Sequence, residues 1–222
     1  MRKEANITPT FSDFRKIVDS IPAWKEATVC KILYLLALNR SEIVTKINPH
    51  ELNRKRSNAY GRHTKFRIET YTKKDFQEKV LLSTTAVAKR SKRGKKQAIV
   101  FKHVGLPTHP GFEPWSRDLL IWIKKNGNLN INATGQTINN WVKYALRRWI
   151  PNITANKLRQ YRINHLITEY NFDYYDVAAY AGYEYKTTLG AMGHHYSQLG
   201  TPNHLRWRHY FPKLLVPITH ID

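Results

Sequence analysis

Asn156-Lys157-Leu158-Arg159-Gln160-Tyr161-Arg162-Ile163-Asn164-His165-Leu166-Ile167-Thr168-Glu169-Tyr170 is the stretch on which the reading turns. It reads as a helix over 156–170, with Arg159 in its opening turns. Asn171-Phe172-Asp173 breaks it, and a second helical segment covers Tyr174–Ala181. Gly182-Tyr183 follows, then Thr187-Thr188 and a linker with two glycines, Leu189-Gly190-Ala191-Met192-Gly193. The stretch ends in His194-His195-Tyr196-Ser197-Gln198-Leu199.

Helical spacing continues upstream. Thr8-Pro9-Thr10-Phe11-Ser12-Asp13 reads as a helix start, with Phe14, Ile17, Val18 and Ile21 on one face. A more apolar helix is expected over Trp24–Leu38, central to the core, and a short one restarting at Ser41. His50–His63 is polar and basic and reads as a loop. Phe66–Tyr71, Lys79–Val87 and Gln97–Val104 are rich in β-branched and aromatic residues, as strands are. Ala88–Lys96, between the last two, is expected to be a basic hairpin turn. Further helices are expected over Ser116–Lys125 and Gln136–Trp149. The fold class expected is mainly α with a small antiparallel β-sheet (α+β), in one domain over 1–222.

The charge balance narrows the partner. Lys and Arg number 37 against 16 Asp and Glu, a net charge of +21. Such a surplus attracts polyanions, and nucleic acid gains affinity as each neutralised phosphate releases its counterions. A ribosomal or a peripheral membrane protein could carry the same surplus. The single cysteine, Cys30, excludes an internal disulfide and a multi-cysteine zinc cluster, and in its apolar run it reads as a buried thiol. That run is too short to span a bilayer, and the N-terminus has no signal-peptide pattern, so an intracellular, DNA-associated protein is expected. Among the 10 histidines, no His/Asp/Glu grouping has a metal-ligand spacing.

The order of these pieces resembles the catalytic domain of the tyrosine recombinases, the phage-integrase family. Asn156–Arg159 is similar to the family's His-x-Leu-Arg motif. Gly182-Tyr183 is similar to its Gly-His dipeptide, and Tyr196–Leu199 to the segment holding its nucleophile. Leu36–Glu42 resembles its Gly-x-Arg-x-Ser-Glu box, and Lys92–Gln97 sits like its β-hairpin lysine. The resemblance covers nearly the whole chain in the family's order. It implies a site-specific recombinase or integrase that cleaves and rejoins double-stranded DNA through a 3′-phosphotyrosyl intermediate, with no cofactor and no metal. It also implies self-association on DNA and a source in a mobile element or virus.

The chemistry agrees with that implication. A tyrosine hydroxyl can hold a phosphoryl group covalently, an arginine fork can grip two non-bridging oxygens, and a lysine can protonate the departing 5′ oxygen. The resemblance gives these roles to Tyr196, to Arg40 and Arg159, and to Lys92, with Asn156 and Tyr183 beside the phosphate. Lys89, Arg90, Arg93, Lys95 and Lys96 are expected to contact DNA.

Each assignment has a rival. Lys92 can be a phosphate-contacting charge, and Arg40 an exposed helix-end arginine, because an ungapped alignment puts Asn39 at the family arginine. Asn156 and Tyr183 replace the family's imidazoles, and His194 or His195 could supply one. Tyr196 lies about five residues later than usual, with Tyr185 in reserve. The basic and aromatic tail from 200 to 222 either docks on a neighbouring protomer or closes its own core. The family's N-terminal DNA-clamping domain has no counterpart in the pattern. Two alternatives stand beside the recombinase: a degenerate relative that binds DNA without cutting it, and an unrelated basic nucleic-acid-binding protein.

Overall fold

The computed structural model describes residues 9–43, 64–90, 97–126, 131–182 and 203–217. Helix α1 (Phe11–Asp19) starts at Thr10, whose hydroxyl accepts the Asp13 amide at 3.1 Å. Its buried stripe is Phe11, Phe14, Arg15 and Val18. Helix α2 (Trp24–Leu35) is buried nearly all round from Ala27 onward, which is what a central helix requires.

Helix α2 ends three residues before the sequence pattern suggests. Ala37 turns left-handed (φ 45°), the Leu38 amide donates to the Leu33 carbonyl at 3.0 Å, and the Ala37 amide to Tyr34 at 2.9 Å. This is a Schellman stop with alanine where glycine is usual. Apolar periodicity carries no trace of it, because every residue from Ile32 to Leu38 is buried whether helical or not. The expected restart at Ser41 is a single 3-10 turn, Arg40–Glu42.

Three antiparallel strands follow, in the order β1 (Thr64–Lys73), β2 (Phe76–Arg90), β3 (Gln97–Pro107). Lys73 pairs with Phe76 across a two-residue turn in which Lys74 takes φ 52°. The expected basic turn is shorter than the pattern suggests, since Arg90 still pairs with Gln97. Helices α3 (Trp115–Asn126), α4 (Gly135–Leu146), α5 (Ala155–Thr168) and α6 (Tyr174–Ala181) complete the shell around α2 and the sheet. Thr134, Thr154 and Asp173 cap α4, α5 and α6. Counting the short α7 (Trp207–Tyr210), seven α-helices and one three-stranded sheet lie among the described residues, so the class is mixed α and β. No helix among them is long and apolar enough to cross a membrane.

Within 203–217 the tail packs on its own chain. Trp207, Tyr210, Phe211 and Leu214, at helical spacing, are buried, while Arg208 and His209 stay outside. Trp207 lies against Gly105 of β3, where a Cβ would approach its ring to 2.8 Å. Tyr210 accepts the Gly105 amide at 3.1 Å, and Lys213 bonds Asp176 of α6. One buried cluster therefore runs from Phe11 to Leu214.

Within that cluster Arg162 and Glu113 form an ionic centre. Glu113 lies 3.6 Å from Arg162 and 3.3 Å from Arg15, and the Arg162 guanidinium stands over the rings of Tyr34, Tyr170 and Tyr180. Its Nε donates to the Tyr180 hydroxyl at 3.2 Å. Cys30 is fully buried, and burial pushes its thiol up to about 12.

Candidate active site

Glu42 is where Arg159 meets the 39–42 stretch. It is buried and receives the backbone N–H of Asn39 at 2.9 Å and the Asn39 amide group at 3.0 Å. The guanidinium of Arg159 lies 4.0 Å from the same carboxylate. Arg159 projects from the first turns of α5, and its other terminal nitrogen donates to the Ala181 carbonyl at 3.0 Å. Ala181 closes α6, and Gly182 follows in a left-handed turn (φ 70°) that caps the helix.

Three stretches far apart in sequence thus meet at one arginine: 39–42, the start of α5 and the end of α6. The arginine is held at both ends, by a charge and by a carbonyl. A planar fork fixed in this way loses little further freedom when a phosphate arrives.

Lys102 of β3 is a member of this cluster that sequence reasoning missed. Its stem lies under Gly182, and its ammonium nitrogen donates to the carbonyls of Leu36 and Ala37, at 2.8 Å for Ala37. These are carbonyls the end of α2 leaves without helical partners. Burial pushes Lys102 well below its ordinary value, the Arg159 charge adds to this, and Glu42 opposes it. The signal was available: Lys102 shares the β3 face of Val104 and Leu106, both buried, so strict alternation turns it inward.

The remaining assignments divide. Arg40 lies along the start of α4, its stem where a Cβ on Gly135 would sit 3.4 Å away, and its guanidinium donates to Gln136 at 3.4 Å. Asn39 is engaged with Glu42. Asn156 is exposed in the first turn of α5. Lys89 and Arg90 fall in the last residues of β2, paired in register with Ala98 and Gln97. Lys92, Arg93, Lys95, Lys96, Tyr183, Tyr185, His194, His195 and Tyr196 lie outside the described residues. Among the described residues no three His, Cys, Asp or Glu side chains are grouped to hold a metal ion. Comparison with family models, with curated proteins and with solved structures finds no match for this chain.

Proposed function

We propose that the chain binds double-stranded DNA and exchanges its strands through a covalent phosphotyrosyl intermediate, with Arg159 gripping the phosphate. The observation that carries this reading is the meeting of Glu42, Arg159 and Ala181, from the three stretches that resemble the recombinase boxes. The charge of +21 supplies the attraction for DNA. In the proposed reaction the Tyr196 hydroxyl gives up its proton to water and its oxygen attacks phosphorus. The bond to the 5′ oxygen breaks, and that oxygen takes a proton from Lys92. Reversal by another 5′ hydroxyl rejoins the strands and frees the tyrosine. Self-association on DNA would bring two such sites together.

The second reading is a relative that binds DNA without cutting it. Asn39 favours it, because its amide is bonded to Glu42 and cannot supply the second cation that charge development at the phosphate calls for.

Incubation with supercoiled plasmid in EDTA at low salt, quenched with SDS, decides between them. Relaxed plasmid and SDS-stable adducts that vanish in Tyr196→Phe support strand transfer. Adducts that persist in that variant move the nucleophile, with Tyr185 tested next. Retardation of DNA without relaxation or adduct supports the binding-only reading, and no retardation at all sinks both.

A further inference from the structure

Away from Arg159, the outer face of α4 lines a cavity of about 540 Å³ that runs to the turn before α5. Asn140, Lys143, Tyr144 and Arg147 stand at successive helical positions on one wall, and Asn152 and Thr154 form the other. The opposite face of α4, with Ile138, Val142 and Leu146, is buried. Asn139 accepts the Ala155 amide at 3.1 Å and so ties the two walls together. The volume falls within the range of small-ligand sites, about 300–1,000 Å³.

The lining specifies the occupant. It holds two cations and no acidic residue. Tyr144 is 67% exposed, so its ring is open to a ligand, and the Arg147 guanidinium lies 5.1 Å from its centroid. Asparagine amides offer donors and acceptors together, as the edge of a nucleobase requires. A planar ring backed by a guanidinium, beside a lysine, suits a base stacked on the ring with its phosphate on the cations. In a duplex both faces of each base are already stacked, so the group that fits is an unpaired one.

We propose that this cavity holds a single unpaired nucleotide of a DNA strand, its base on Tyr144 and its phosphate on Lys143 and Arg147. The inference rests on the DNA-binding half of the proposed function and not on cleavage.

The test is fluorescence anisotropy of the full chain with a labelled oligodeoxythymidine strand, a strand of the same length with abasic sites, and a duplex. Tyr144→Ala is expected to weaken the thymidine strand about tenfold, as loss of one stacked base does. It should leave the duplex and the abasic strand within about twofold, since neither offers an unpaired base. Tyr144→Phe should bind as the parent does, and Arg147→Gln should lower the salt dependence by about one phosphate contact. An equal loss on strand and duplex, or no loss on either, overturns the pocket while leaving DNA binding intact. A parent chain that binds neither nucleic acid overturns the DNA-binding reading and the pocket with it.

Discussion

Lys102 and Gly182 are in such close contact that a Cβ at position 182 would lie 3.0 Å from both Cβ and Cγ of the lysine. The glycine also holds φ 70°, a left-handed conformation that side chains resist. Close approach and backbone angle act at the same residue, and that residue joins α6 to Tyr183. Gly182→Ala is therefore expected to cost about 1–3 kcal/mol in urea unfolding. A variant as stable as the parent would show that the end of α6 can move away from β3.

Lys102→Met keeps the stem and removes the donor to two buried carbonyls at the end of α2. Relief of the buried amine offsets part of the loss, and a net destabilisation of about 1–3 kcal/mol is expected. The pH dependence identifies the cause. The unfolded lysine keeps its proton up to its ordinary value of 10.5, and the folded one releases it earlier. Unfolding then takes up a proton, so the parent gains stability as pH rises toward 10.5, and the variant should lack that gain. Parallel pH profiles for the two proteins would contradict a lysine lowered by burial in the folded chain.

Glu42→Gln removes the charge facing Arg159 but keeps an acceptor for Asn39. Under the proposed function it should tighten DNA binding at low salt, because the Arg159 charge is no longer offset. Arg159→Lys should not restore the adducts lost in Arg159→Ala, since a single ammonium cannot reach both Ala181 and a phosphate as the fork does. Gel retardation and SDS-stable adducts read the two effects separately. Adduct formation by the lysine variant would remove Arg159 from the phosphate.

The buried ionic centre gives the largest expected stability effect. Glu113→Gln leaves Arg15 and Arg162 facing one another without a counter-charge, and a loss of about 3–5 kcal/mol is expected. Thermal unfolding monitored by tryptophan fluorescence checks this, since Trp115 lies over Arg15. A loss below about 1 kcal/mol would mean that water or a shifted side chain compensates the charge.

Acid should weaken the fold through two histidines. His165 Nε2 donates to the Pro9 carbonyl at 2.9 Å, so its Nδ1 accepts the Tyr34 hydroxyl at 2.8 Å and the ring is neutral. Burial pushes it below its ordinary value, with the Pro9 bond opposing, and pushes His103 down to about 4, with Arg67 adding to the effect. Both bind protons more readily in the unfolded chain, near 6.5, than in the folded one. Stability is thus present above about pH 6.5 and falls toward pH 4. Urea midpoints across that window should drop less in His165→Gln than in the parent.

Much of this architecture was legible because it rests on local rules. Thr10 with Asp13 marked the start of α1, and Asp173 ahead of Tyr174 marked the start of α6. What escaped was tertiary. Ala37 stops α2 in a conformation that its residue type does not advertise. Lys102 carries no role in the sequence reading, although its place in the β3 alternation is an inward one. For the tail the sequence left two readings open, and Trp207, Tyr210, Phe211 and Leu214 keep the helical period that buries them. At the candidate site the sequence named Arg159 and quoted Glu42 without giving it a role, and it favoured Arg40, which lies along α4 instead. The Asn-x-x-Glu spacing of a capping box marks the pairing of Asn39 with Glu42 locally, whereas the approach of Arg159 to Glu42 depends on the tertiary fold.

The seam between Gly105 and the aromatic pair Trp207 and Tyr210 sets a clock on biosynthesis. The β3 strand leaves the ribosome with one face open, and the side chains that cover it are encoded about a hundred codons later. At roughly 5–20 residues per second, that face stays bare for about 5–20 s. Through that interval Val80 and Leu82, which share the Gly105 face of the sheet, are an exposed, aggregation-prone surface of a nascent chain. The yield of this protein in a cell should therefore depend on chaperone capacity more than its finished core would suggest.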